Sequence, residues 1–359
     1  MNKINVNLKN NPYSIFIENE LSNTIDRVLD TFNTGQQWVI FSQQFIFEKY
    51  GKDIQKKLTN CGFKVEKIIL VDGESAKSLS LLENIYSQLI NFGCSRDSTF
   101  IALGGGVIGD LTGFIAATFM RGVQYVQIPT TLLAMVDSSI GGKTGVNISK
   151  GKNLVGSIYQ PLVVIIDPRF LHTLPNREII SGMGEVIKYG LALDSKLFQF
   201  LNDNMDNIIN LSSEQVIEEV VIRCAQLKTE IIIEDEFEND RRRILNFGHT
   251  IGHALETYFN YDLLRHGEAV AYGMIAASKL SVWFSNLSED NYNLLVELIK
   301  NLSLPHLLEF ESSNILKIIK NDKKVKLGDV HFILLNDIGS TEIKNDIDDA
   351  AIIKVIESL

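Results

Sequence analysis

Short apolar runs punctuated by polar turns dominate the first half of the chain. Tyr13 to Glu18, Trp38 to Phe41 and Phe63 to Val71 carry the alternating or β-branched patterns of strands. Leu81 to Phe92 instead spaces its apolar residues by three and four, which predicts an amphipathic helix. Ser98 to Leu103 reads as a strand that runs directly into a glycine-rich turn, Gly104 to Asp110, and Leu111 to Phe119 as the helix beyond it. Val123 to Ile128 and Leu162 to Ile166 are further strand candidates. Strand and helix in alternation predict an α/β domain with a mostly parallel sheet covered by helices.

The pattern changes after Pro175. Glu214 to Ile232, Asn246 to Phe259 and Glu268 to Trp283 show helical spacing, and the next clear strand run is Val330 to Leu335. A boundary is therefore expected between residues 168 and 177, giving an α/β domain over 1–174 and a mostly helical domain over 175–359. The charged stretch Glu234 to Arg243 reads, taken alone, as a solvated helix end or loop.

Composition narrows the function. A length of 359 residues suits two domains, and 45% hydrophobic with 22% charged residues supplies a sizeable core. The net charge of −10 and the near absence of Lys/Arg runs argue against nucleic acid as a partner, while leaving room for a small anionic substrate held by a local ring of cations. The first residues lack a basic start followed by an apolar core, and no apolar run reaches membrane-spanning length, so no membrane partner and a cytoplasmic location are expected. Cys61, Cys94 and Cys224 are widely spaced and odd in number, as buried thiols would be.

Two constellations carry candidate chemistry. Gly104, Gly106 and Gly109 satisfy a GxGxxG spacing after a strand, where backbone N–H groups can approach a pyrophosphate at a helix start. Tight strand-to-helix packing uses the same glycines, and the usual ribose-binding carboxylate downstream is missing. Asp72 and Glu74 close an earlier strand, Thr130 and Thr131 follow another, and Lys143 and Lys152 stand in what read as glycine-containing loops. The other constellation is histidine. Of six in the chain, His249, His253 and His266 fall close together in helical sequence. His249 and His253, four apart, share a helix face as two metal ligands, or as one ligand beside an acid/base group, or as a satisfied buried pair. Glu185 and Lys188 form either a simple i,i+3 ion pair or part of a metal and anion site.

Taken together, GGGVIGDLTGF at 104–114, TFMRGV at 118–123, PTTLLAMVDSSIGGKTGVN at 129–147, GKNLVGSIYQP at 151–161, DPRFLHTLPNRE at 167–178, SGMGEVIKYG at 181–190, LNFGHTIGHALE at 245–256, HGEAVAYGM at 266–274 and DKKVKLG at 322–328 resemble the 3-dehydroquinate synthases. These are sugar-phosphate cyclases whose fold is similar to that of iron-containing alcohol and glycerol dehydrogenases. The resemblance implies an N-terminal Rossmann-like NAD-binding domain, a mostly α-helical metal- and substrate-binding domain, and a homodimer. It implies NAD with Zn2+, or alternatively Co2+, as cofactors, and a small phosphorylated acidic sugar, 3-deoxy-D-arabino-heptulosonate 7-phosphate, as substrate. Transient oxidation, phosphate elimination, reduction, ring opening and aldol closure would follow.

Carried over residue by residue, the cofactor side comprises Asp72, Glu74, Lys77, Gly105, Gly106, Val107, Ile108, Gly109, Asp110, Thr130, Thr131, Lys143, Lys152 and Thr173. Glu185, His249 and His266 match the metal ligands. Arg121, Asp137, Asn153, Lys188, Lys228, Arg242, Asn246, His253 and either Lys323 or Lys324 match the reaction site. Gly184 departs from the family pattern, which often has alanine there, at a local helix cost of about 1 kcal/mol. Related cyclases making cyclitols or amino-shikimate precursors, and a metal-dependent polyol dehydrogenase, are the competing readings.

Overall fold

The computed structural model describes residues 1–29, 31–32, 34–148, 151–321 and 330–359. Its strands are β1 (Asn2–Val6), β2 (Tyr13–Ile17), β3 (Gln37–Gln43), β4 (Lys64–Leu70), β5 (Thr99–Gly104), β6 (Gln124–Pro129), β7 (Lys143–Ile148), β8 (Gly151–Ile158), β9 (Val163–Ile166), β10 (Phe332–Asp337) and β11 (Ser340–Lys344). The early helices are α1 (Ile25–Leu29), α2 (Gln44–Ile46), α3 (Lys52–Asn60), α4 (Leu79–Asn91) and α5 (Gly106–Thr118). Then come α6 (Asn176–Ala192), α7 (Ser195–Ile209), α8 (Glu214–Glu234), α9 (His249–Tyr258), α10 (His266–Phe284), α11 (Glu289–Lys300), α12 (Ser312–Asn321) and α13 (Asp349–Glu357).

The first compact unit comprises residues 1–174 and 217–237. Its seven-stranded sheet runs β1-β2-β9-β6-β5-β3-β4, and every neighbouring pair is parallel except β1 with β2 at the edge. The interior strand β5 is buried along its whole length, as a continuous apolar run covered on both faces must be. Phe41, Phe100, Leu111, Ile115 and Tyr125 join one core between this sheet and its helices. This is the Rossmann-like α/β arrangement expected from the alternating pattern.

Two expectations need correction. The glycine-containing segments bearing Lys143 and Lys152 are the paired strands of an antiparallel hairpin, β7 with β8, rather than loops. Also, α8 belongs with the first unit although the sequence reading placed it in the second. Within that unit the Lys228 ammonium lies 2.8 Å from Asp137 Oδ1 and 2.6 Å from the Asp137 carbonyl.

The second unit comprises residues 175–216 and 238–359 and is mostly helical. Its core gathers Ile251, Leu255, Ala276, Leu280, Ile315, Leu334 and Val355 from α9, α10, α12, β10 and α13. The strand expected at Val330 to Leu335 is β10, and it pairs with β11, which the hydrophobic pattern did not single out. No helix among the described residues is long and apolar enough to cross a membrane.

Candidate functional site

In the first unit the glycine-rich turn joins β5 to α5. Gly105 caps α5 without any side-chain hydrogen bond, so the N–H groups of the first turn keep their capacity to bind an anion. The glycines also serve packing. A Cβ at Gly105 would stand 2.9 Å from Thr131 Cγ2, at Gly106 2.8 Å from Ser138 Oγ, and at Gly109 2.8 Å from Gln127 Oε1. Val107 is half-buried and Ile108 buried, while Thr130 donates its N–H to the Gly104 carbonyl at 3.0 Å. Thr131 Oγ1 accepts from the Ala134 N–H at 3.2 Å.

Beside this turn lies a cluster of polar groups around Lys77. Its buried ammonium reaches Asp110 Oδ2 at 2.7 Å and donates to Asn153 Oδ1. Burial pushes the Asp110 carboxyl above its ordinary range, with Lys77 pulling the other way. Glu74 Oε1 accepts from Asn147 Nδ2 at 2.8 Å, and Asn147 Oδ1 accepts from the Asn153 N–H at 2.9 Å. Asn153 therefore sits with residues assigned to the cofactor side. Asp72 is exposed in the turn after β4, and Thr173 Oγ1 lies 2.5 Å from the Tyr50 hydroxyl. Arg121 is exposed and follows Met120 in the left-handed region, at φ 64° and 48° respectively, a turn that costs non-glycine residues energy.

In the second unit three helices meet backbone to backbone. A Cβ at Gly267 would fall 1.6 Å from the Ser181 carbonyl oxygen, at Gly184 2.2 Å from the Gly267 oxygen, and at Gly273 1.9 Å from the Gly248 oxygen. Glycine is what permits this approach of α6, α9 and α10. The residues chained to these glycines are Glu185, His266 and His249, so the contacts that bring the helices together also bring the three side chains together. Gly184 thus exchanges helix propensity for closeness.

Glu185 is fully buried, and its Oε1 stands 3.4 Å from the Nε2 of both His249 and His266. Each imidazole is anchored through its other nitrogen: His249 Nδ1 lies 3.1 Å from the Phe247 carbonyl, and His266 Nδ1 lies 3.1 Å from Glu256 Oε2. Burial lowers the His249 imidazole to about 3 despite the opposing pull of Glu185. Burial would lower His266 too, but hydrogen bonds and charge from Glu185 and Glu256 carry it up to about 10. The ligand atoms of His249, His253 and His266 all lie within 4.8 Å of one another. Two anchored imidazoles and a buried carboxylate oxygen suit a divalent metal ion. Lys188, also buried, pairs with Glu185 as the i,i+3 spacing allowed.

The stretch Glu234 to Arg243 is exposed or half-buried as expected, with one exception: Arg242 is 2% exposed. Asn246 Nδ2 donates to Glu238 Oε1 at 2.7 Å. Lys323 and Lys324 lie outside the described residues. The sequence reading missed Glu256, and also the fork of Arg177 onto Glu268 at 2.8 and 2.9 Å, which fixes the start of α10.

Two family models match in tandem, "3-dehydroquinate synthase N-terminal" over residues 67–181 and "3-dehydroquinate synthase C-terminal" over residues 182–325. A 3-dehydroquinate synthase of Crocosphaera subtropica is 43% identical over a 363-residue alignment that covers 99% of this chain and 98% of its own. This chain belongs to the 3-dehydroquinate synthase family. Among solved structures, the 2-epi-5-epi-valiolone synthase of Streptomyces hygroscopicus subsp. jinggangensis 5008, with NAD+ and Zn2+ bound, is 27% identical with a TM-score of 0.90 and covers 98% of each chain. A 2-deoxy-scyllo-inosose synthase complexed with carbaglucose-6-phosphate, NAD+ and Co2+ is 26% identical, also at 0.90, over 99% of each chain. The 3-dehydroquinate synthase family thus shares its fold with these other synthases.

Proposed function

We propose that the protein is a 3-dehydroquinate synthase, converting 3-deoxy-D-arabino-heptulosonate 7-phosphate to 3-dehydroquinate and inorganic phosphate, the second step of the shikimate pathway. The observation that carries the reading is the meeting of Glu185 with His249 and His266 at 3.4 Å each. It is supported by identity of 43% to a 3-dehydroquinate synthase, against 27% and 26% to the cyclitol-forming enzymes.

Glu185, His249 and His266 would hold the divalent metal, and the glycine turn with Lys77, Asp110, Thr130 and Thr131 would hold NAD. When bound, the metal makes hydroxyl protons easier to remove and NAD supplies reversible hydride transfer. The chain's own groups do the rest. The buried ammonium of Lys188 and the guanidinium of Arg242 present fixed positive charge to an anionic substrate, having been desolvated in advance. Asn246 is oriented by Glu238 for directional hydrogen bonding. His253, whose ring centroid lies 5.1 Å from that of His249, would exchange a proton with a substrate hydroxyl. In the first unit, Lys228 is held by Asp137.

The decisive experiment incubates the NAD-loaded protein with the heptulosonate phosphate and follows phosphate, 3-dehydroquinate and NADH together. Phosphate and 3-dehydroquinate should form one for one, with total NADH staying below the enzyme concentration. One NADH released per substrate converted would instead make the protein a dehydrogenase.

A further inference from the structure

We propose that Glu256 is a positioning residue for the metal centre, accepting the Nδ1–H of His266 so that the ring's Nε2, once its own proton has left, directs its lone pair at the ion. The inference rests on the reading of Glu185, His249 and His266 as ligands. Its own ground is the contact of 3.1 Å between Glu256 Oε2 and His266 Nδ1, made by a carboxylate only 8% exposed. A buried carboxylate costs free energy unless it is met by a hydrogen-bond donor. A neutral imidazole presents a donor on one nitrogen only, so occupying Nδ1–H with a carboxylate fixes which nitrogen remains a lone-pair donor.

Helix geometry makes the placement economical. Glu256 is seven residues after His249, two turns of α9 later and on the same face. One helix therefore offers a ligand from its first turn and a support for a second ligand from its last. The two imidazoles are treated differently. His249 is held by a neutral carbonyl two residues before it in the chain, whereas His266 is held by a charged group from another helix. Replacing Glu256 should accordingly loosen the α10 ligand and leave the α9 ligand in place.

The test measures the zinc dissociation constant by competition with a fluorescent chelator, for wild type, Glu256→Gln, Glu256→Leu and His266→Ala, alongside the urea midpoint of each metal-free protein. Glutamine keeps a neutral acceptor in nearly the same volume, and leucine removes the acceptor. The expected result is a dissociation constant weakened about 10- to 100-fold in Glu256→Leu, with Glu256→Gln in between and its metal-free urea midpoint unchanged. Wild-type zinc affinity in both Glu256 variants, with affinity lost in His266→Ala, would overturn the role of Glu256 alone. Wild-type affinity in His266→Ala would overturn the ligand assignment, and the role of Glu256 with it.

Discussion

Replacing Gly267 by alanine should both destabilise the second unit and open the metal centre. The new Cβ would lie 1.6 Å from the Ser181 carbonyl oxygen, where ordinary contact begins near 3.4 Å. The difference, 3.4 − 1.6, requires α10 and α6 to part locally by about 1.8 Å, or their backbones to distort by as much. Overpacking of this kind costs about 1–3 kcal/mol, and weakening the Gly267 N–H bond to Ser181 Oγ, 3.2 Å long and buried, adds about 1 kcal/mol. Alanine's better helix propensity returns up to about 1 kcal/mol, so the net loss should be about 1–3 kcal/mol. The displacement matters more to the metal than to the fold. His266 precedes Gly267 directly, and a zinc–nitrogen bond near 2.0–2.1 Å tolerates only tenths of an ångström. Zinc affinity should therefore fall by at least about 100-fold, near 2.7 kcal/mol. Urea unfolding of the metal-free protein and chelator competition measure the two effects separately. A variant with wild-type urea midpoint and wild-type zinc affinity would refute the backbone contact as the device that sets the ligands.

His249→Ala should lose zinc while His253→Ala keeps it and loses turnover; metal content of dialysed, folded variants decides, and the reverse pattern would move His253 into the ligand set that its proximity also permits. Lys77→Met should cost about 2–3 kcal/mol by stranding Asp110, and adding Asp110→Asn should recover part of the loss; strictly additive urea midpoints would deny the coupling. In the metal-free protein, His249 is held near 3, below its ordinary 6.5, so the folded state binds fewer protons than the unfolded chain and stability falls as pH drops below 6.5. His266 is held near 10, above 6.5, so its contribution is fully present below 6.5 and is lost as pH rises towards 10. Between them they predict greatest metal-free stability near pH 6.5, and a urea midpoint in wild type no more sensitive to pH than in the His249→Ala/His266→Ala double variant would contradict this.

Most elements were legible because their signal is local. β3, β4, β5, β6 and β9 appear where apolar runs end in turns, and α4, α8, α9 and α10 where apolar spacing follows the helical period. The misses share a cause in glycine or in distance. α5 starts at Gly106 rather than Leu111 because a glycine run has neither periodicity nor helix propensity. β8 has no fully buried residue and carries Gly151 and Gly156, so it reads as loop until its partner strand is present. Periodicity reveals that α8 is a helix but not which core it joins. At the site, the histidine cluster and Glu185 were visible as motif residues, whereas Glu256 looked like any helix carboxylate. Its only local sign was the seven-residue spacing from His249. The closeness of α6 to α10 was equally hidden, since Gly184 read as a weak helix position until the opposing backbone is known.

The return of α8 to the first unit has a consequence for modularity. The polypeptide leaves that unit after Leu174, comes back at Ile217 and leaves again after Phe237, so neither unit is one continuous stretch of gene. A fragment ending at residue 174 would lack the helix bearing Val220, Val221, Cys224, Ile231 and Ile232, all buried in the whole chain, and would deprive Asp137 of Lys228. Cutting the coding sequence at the apparent boundary therefore yields two incomplete pieces, and shuffling the units between relatives requires at least three junctions chosen together.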